Sequence, residues 1–179
     1  MKKILILLVS ITFGWQIFAQ NTTIFDKFED YDEVTTVVVT QQAFKMLQKV
    51  SSNSKEGQEF QQLVSGLNDL KIYTTENSKI ADEMRATFNK YLKAKKLSEL
   101  MRINDQDAHV KIYVRQGKDE DHVSEFLMLV DELNTQGSKG DKQLVVISLT
   151  GDIDLNNISK ITNNMNIPAG KYLEKAEKK

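Results

Sequence analysis

Apolar positions in this chain change period several times, and each change marks an element. Val34 to Thr40 reads Val-Thr-Thr-Val-Val-Val-Thr, a β-branched run that predicts a strand. Directly after it Ala43, Phe44, Leu47 and Val50 fall at i, i+1, i+4 and i+7, which predicts a helix over 41–50 stopped by Ser51-Ser52-Asn53-Ser54. Phe60, Leu63, Val64 and Leu67 stripe a second helix from about Lys55, and Leu70 and Ile72, opposed by Lys71 and Tyr73, give a short strand within 69–75. The longest helix, over 76–96, carries Ile80, Met84, Phe88, Tyr91 and Leu92 on one face, with Asn77 or Ser78 to cap it. Ahead of all these, Ile24, Phe25 and Phe28 behind Thr22 or Thr23 predict a short amphipathic helix over 21–31 that pins the segment to the body.

Beyond Leu97 the helical period fades. Leu97 to Ile103 and His109 to Arg115 flank the turn-forming Asn104-Asp105-Gln106-Asp107, and the second segment alternates, Val110, Ile112 and Val114 against Lys111, Tyr113 and Arg115. Val123, Phe126, Leu127, Val130 and Leu133 fit a helical stripe, yet the segment lies between two strands with short loops on both sides. A strand over 123–133 is the preferred reading, because it gives the next segment a neighbour to pair with. That segment, Leu144 to Thr150, is mostly apolar, with Val145, Val146 and Ile147 consecutive, and reads as a strand buried on both faces. Thr150-Gly151-Asp152 then reads as its end, with Asp154 capping a closing helix that carries Leu155, Ile158, Ile161 and Met165 and stops at Pro168. The sum is an α+β fold, a single mixed sheet with a C-terminal antiparallel meander and helices packed on one face.

Composition adds a compartment. Met1 to Gln20 has the form of a secretory signal: Lys2 and Lys3, the apolar Ile4 to Val9 and Ile11 to Phe13, then Phe18-Ala19-Gln20 as a cleavage region. Ser10, Thr12, Gly14 and Gln16 interrupt the apolar run, which is short for a bilayer core of about 30 Å. Cleavage leaves 21–179, one α+β domain with no transmembrane segment, no lipid-acceptor cysteine and no disulfide, since the chain has no cysteine. Without Lys2 and Lys3, 22 basic side chains stand against 25 acidic ones, a net charge of −3. Outside the tail Lys171 to Lys179 there is no concentrated basic footprint, which argues against nucleic acid as partner. The one tryptophan, Trp15, lies inside the leader, so a processed chain shows tyrosine fluorescence alone.

The leader ending in Ala-Gln, Phe25-Asp26-Lys27-Phe28, the Val34 to Val39 strand, Tyr113-Val114, Ser124 to Val130 and above all Val146-Ile147-Ser148-Leu149-Thr150-Gly151-Asp152-Ile153-Asp154-Leu155 resemble an exported family common in Bacteroidetes, domain of unknown function 4252. The likeness spans nearly the whole of 21–179, and Ser148 to Leu155 is its most specific piece. The resemblance implies an envelope-associated protein, with a link to envelope stress or surface physiology. It carries no catalytic or binding residue onto this sequence.

The residues themselves offer little reactive chemistry. His109 and His122 are the only histidines, and with Asp119, Glu120 and Asp121 they could share one loop. The acids there are consecutive, however, and lack the spacing of a calcium loop, so a solvated hairpin tip is the better reading. No Gly-x-Ser-x-Gly elbow surrounds Ser65 or Ser148, and the glycines at 117, 137, 140 and 151 are isolated turn residues rather than a phosphate loop. Gly151-Asp152 reads as strand-to-helix turn chemistry, with an anion contact at a helix start as the sharper alternative. The expectation is therefore no catalytic, cofactor or metal set, and a non-enzymatic envelope protein acting on an unknown protein or envelope component. Its contact surface would be the row His109, Lys111, Tyr113 and Arg115. The rival is an envelope hydrolase using paired carboxylates.

Overall fold

A computed structural model describes residues 23–50, 55–104, 108–134 and 142–157. The leader, the Ser51–Ser54 stop, most of the 104–107 turn, the 135–141 turn, the closing helix beyond 157, Pro168 and the lysine tail lie outside the described residues. Six strands form one sheet: β1 (Val34–Val39), β2 (Leu67–Thr75), β3 (Ser98–Asn104), β4 (His109–Gln116), β5 (His122–Asn134) and β6 (Lys142–Asp154). Three helices accompany them, α1 (Gln41–Val50), α2 (Lys55–Val64) and α3 (Ser78–Lys95). The order is β1-β2-β6-β5-β4-β3, so β3 to β6 run as a meander and β6, last in sequence, sits between β2 and β5.

The α+β class, the C-terminal meander and the strand over 123–133 are as the sequence predicts. Two particulars differ. Every pairing among the described strands is antiparallel, so the sheet is not mixed. Helices also cover both faces rather than one. Strand alternation shows this directly: Val145, Ile147 and Leu149 of β6 and Phe126, Met128 and Val130 of β5 pack with Phe44 of α1 and Val64 of α2. Leu144 and Val146, with Leu127 and Leu129, pack with Phe25, Phe28 and α3 residues Met84, Phe88 and Tyr91. A sheet covered on both sides has no polar face in its central strands, which is why five of the seven positions from Leu144 to Thr150 in β6 are apolar. Ile147 pairs with Ile72 on one side and Met128 on the other, and its side chain is 1% exposed.

Local chemistry sets the ends of the elements. The Asn77 side chain accepts hydrogen bonds from Lys79 N at 3.0 Å and Ile80 N at 3.3 Å, and so satisfies two otherwise free amides of α3. Lys96, left-handed at φ 52°, turns the chain out of α3. The predicted amphipathic helix over 21–31 is instead a 3₁₀ turn over Asp26–Asp30. Its three-residue repeat brings Phe25 and Phe28 to the same side, both fully buried, so two anchors suffice without a longer helix.

Thr150-Gly151-Asp152 does not end β6. The strand continues to Asp154, and Gly151 and Asp152 together face the single Ser124 of β5, a bulge between the Glu125–Thr150 and Val123–Ile153 pairs. Gly151 takes φ +138°, and Asp152 N donates to Gly66 O at 2.7 Å. Past the bulge, Asp154 Oδ1 accepts from Asn156 N at 2.9 Å, and Leu155–Asn157 form a 3₁₀ turn.

Candidate functional site

Among the described residues, β1 presents one open sheet edge. Its pairing with β2 runs without a bulge from Val34–Thr75 to Val39–Leu70, and among the described strands none pairs with its other side. Alternation puts Val34, Thr36 and Val38 on the α3 face and Thr35, Val37 and Val39 on the α1/α2 face. Val37 is 45% and Val38 43% exposed. The strand contains no lysine, proline or other device of the kind that protects sheet edges. The opposite edge, β3, is different. A bulge falls between Glu99 and Met101, and Glu99 pairs with Arg102 at 2.6 Å while accepting from Tyr113 Oη at 3.0 Å. Where β1 begins, Asp32, Glu33, Thr35, Thr74, Thr75, Glu76, Asn77 and Gln143 line a groove of about 470 Å³. Glu33 belongs to both the groove and the approach to β1.

The predicted contact row is largely consumed within the chain. His109, Lys111, Tyr113 and Arg115 do share one face of β4, but it is the face that α3 covers. The Tyr113 ring meets Phe88 of α3 edge-on at 5.9 Å, and Arg115 Nη2 donates to Glu125 Oε2 at 2.8 Å. Of the four, only His109 is exposed, and Lys111 is half-buried. Beside that ion pair lies Tyr91 of α3, whose phenol is pushed well above its ordinary range by burial and then by the Glu125 carboxylate. Glu125, 5% exposed, is the one buried acid among the described residues, and it lies on a strand rather than on a turn. Its signal was present but faint: an acid at the inward phase of an otherwise apolar strand.

The histidines are not brought together. His109 opens β4 opposite Asp131, whereas His122 opens β5 at the other end of the hairpin, its Nδ1 2.6 Å from Asp119 Oδ1. That contact holds the Asp119 carboxyl below its usual range. Among the described residues no three histidines, aspartates or glutamates are grouped to hold a metal ion. Lys118 Nζ reaches Asp152 Oδ2 at 2.6 Å, so an exposed ion pair ties the β4–β5 loop to the bulge. Gly151 and Asp152 lie within β6, and the closing helix whose amides the anion reading needs lies outside the described residues beyond Leu155–Asn157. Ser148 is 3% exposed within β6.

Two carboxylates do approach each other at the N-terminal turn. Tyr73 Oη lies 3.1 Å from Asp26 Oδ1 and 3.3 Å from Glu29 Oε1, and Lys71 Nζ lies 2.7 Å from Asp26. Thr23 adds its amide at 3.1 Å and its hydroxyl at 2.6 Å to Asp26. With Lys71 12% exposed, this is a clasp fastening the turn to β2 rather than an acid–base pair facing a substrate. Burial opposes ionisation of Asp26, but the bonds from Lys71, Thr23 and Tyr73 outweigh it and lower the carboxyl from its ordinary 3.8. A depressed folded value means that Asp26 contributes stability above the unfolded value and loses it as pH falls through the folded one. Urea melts should therefore show Asp26→Asn less stable than the parent near pH 6, with the difference shrinking below pH 3.8. A difference that stayed constant from pH 6 to pH 3 would contradict this account.

Comparison with known families bears on the whole core. A model for a family described as domain of unknown function (DUF4252) matches residues 28–161. The chain belongs to that family. The match runs from the N-terminal turn through all six strands of this DUF4252 domain and includes the β6 bulge. No curated protein and no solved structure matches it. Among the described residues no helix is long and apolar enough to cross a membrane.

Proposed function

We propose that this DUF4252 domain is an exported, non-enzymatic protein of the cell envelope that acts by binding or assembly. The observation carrying this reading is the β1 edge: six β-branched residues with one side unpaired among the described strands, and two half-exposed valines. Extended backbone of this kind recruits another strand through main-chain hydrogen bonds. Export rests on the leader-like Met1 to Gln20, the lack of a lipid-acceptor cysteine argues against a lipid anchor, and a role in envelope stress or surface physiology rests on family resemblance alone. The hydrolase alternative finds no support in Asp26 and Glu29, since Lys71 and Tyr73 occupy their oxygens.

The test is recovery of the chain from fractionated source cells, with intact mass and fluorescence measured. The expected product is exported, begins at Asn21 and lacks Trp15. In gentle extracts it migrates as an assembly that Val37→Lys disperses, because a charge on the edge disfavours strand addition. A cytoplasmic product retaining Trp15, or an assembly indifferent to Val37→Lys, would refute the proposal.

A further inference from the structure

We propose that the strand added to the β1 edge is β1 of a second copy, antiparallel and centred on Val37. This rests on the reading of β1 as the working surface and names its occupant. Pleating restricts the register. In a continuous antiparallel sheet, directly opposed residues lie on the same face, so the two residue numbers of a symmetric pair must sum to an even value. The symmetry axis therefore passes through a residue, and the two central choices are Thr36 and Val37.

Charge decides between them. Centring on Thr36 sets Glu33 against the apolar Val39 of the other copy. Centring on Val37 pairs Val37 with itself, Thr36 with Val38, Thr35 with Val39, Val34 with Thr40 and Glu33 with Gln41. Gln41 is the first residue of α1, whose first turn contains no acid of its own. An acid from the second copy then meets the positive end of that helix, once in each direction across the axis. The same register covers Val37, 45% exposed, with its own counterpart, and sets Val38, 43% exposed, beside the methyl of Thr36. Such a contact is self-complementary and closes at two copies. Growth into a filament would need the β3 edge, where the Glu99/Met101 bulge and the Glu99–Arg102 pair disrupt a flat ladder.

The absence of cysteine makes the register directly readable, because a single introduced thiol has no competitor. The chain starting at Asn21 is prepared with Val37→Cys or Thr36→Cys and oxidised, alongside sedimentation of the unaltered protein and of Glu33→Lys. The expected result is a dimer for the unaltered protein and a weakening of about tenfold for Glu33→Lys, from two symmetric helix-end contacts each worth a few-fold. Val37→Cys should form a covalent dimer at least about fivefold faster than Thr36→Cys, as only directly opposed residues come within disulfide reach. Faster cross-linking at Thr36 would overturn the register. A monomer at about 100 μM, far above ordinary dimer constants, with no cross-linking at Val37 would overturn the second copy as occupant. In that case, an assembly from cell extracts still dispersed by Val37→Lys would leave the edge reading standing, and an indifferent one would remove both. Val37 and Glu33 are exposed, so unchanged circular dichroism of the variants separates lost assembly from lost folding.

Discussion

Gly151→Ala is expected to destabilise the fold by about 3 kcal/mol or more, the combined cost of a forbidden backbone conformation and a backbone collision. At φ +138° any side chain is strained. A Cβ there would also lie 2.3 Å from Gly66 O, 2.8 Å from Leu67 Cα and 2.9 Å from Asn68 N, and none of these main-chain atoms belongs to a flexible side chain that could swing away. The contact is reciprocal, since a Cβ on Gly66 would meet Asp152 O at 2.3 Å. Two backbones thus touch where β2 begins and β6 bulges, and Asp152 N to Gly66 O is the bond that closes the contact. Chemical denaturation should show the loss as a lower midpoint at unchanged slope. A variant within about 0.5 kcal/mol of the parent, the range of an ordinary surface change, would show that the bulge relaxes freely.

The second large effect belongs to Arg115 and Glu125, and it is asymmetric. The Glu125 side chain is 7% exposed and that of Arg115 42%, so water can replace the carboxylate for the arginine but cannot replace the arginine for the carboxylate. Arg115→Met should therefore cost about 3 kcal/mol, the lower end for breaking a buried pair, whereas Glu125→Gln should cost about 1 kcal/mol. The double variant Arg115→Met with Glu125→Leu removes both charges together and should recover most of the loss. The measurement is a double-mutant cycle by urea unfolding. Equal costs for the two single changes, or no recovery in the double, would show that packing and not the stranded carboxylate sets the energy.

The sequence made most of the elements legible because most are amphipathic in one period only. α1, α2 and α3 each present one apolar stripe, and β4 alternates, so their type and extent follow from spacing. β5 was ambiguous for a physical reason. Phe126, Met128 and Val130 face one layer while Leu127 and Leu129 face the other, so no polar phase remains to separate a period of 2 from one of 3.6. The same double burial hid which face each helix covers, because amphipathicity says that a helix packs and not where. Gly151-Asp152 signalled irregular backbone correctly, but a bulge and a strand end use the same residues, and only pairing distinguishes them.

The candidate surface was less legible than the fold. Val34 to Val39 announces a strand, but whether a strand lies at the margin or the middle of a sheet depends on order, which no local pattern encodes. Alternation alone puts His109 to Arg115 in one row, but only the packing of α3 over Tyr113 shows that this row faces inward. Glu125 and Arg115 are ten residues apart and become neighbours only through the β4–β5 register.

The central place of β6 also bears on how the molecule comes into being. Leu70 and Leu149 are paired, as are Phe126 and Leu149, so the last strand made is the one that joins the β1–β2 ribbon to the β3–β5 ribbon. A chain still growing from the ribosome has no strand pairing between its two ribbons until residues near 142 have emerged. Closure across a separation of that size is slow because loop entropy is lost before any contact is gained.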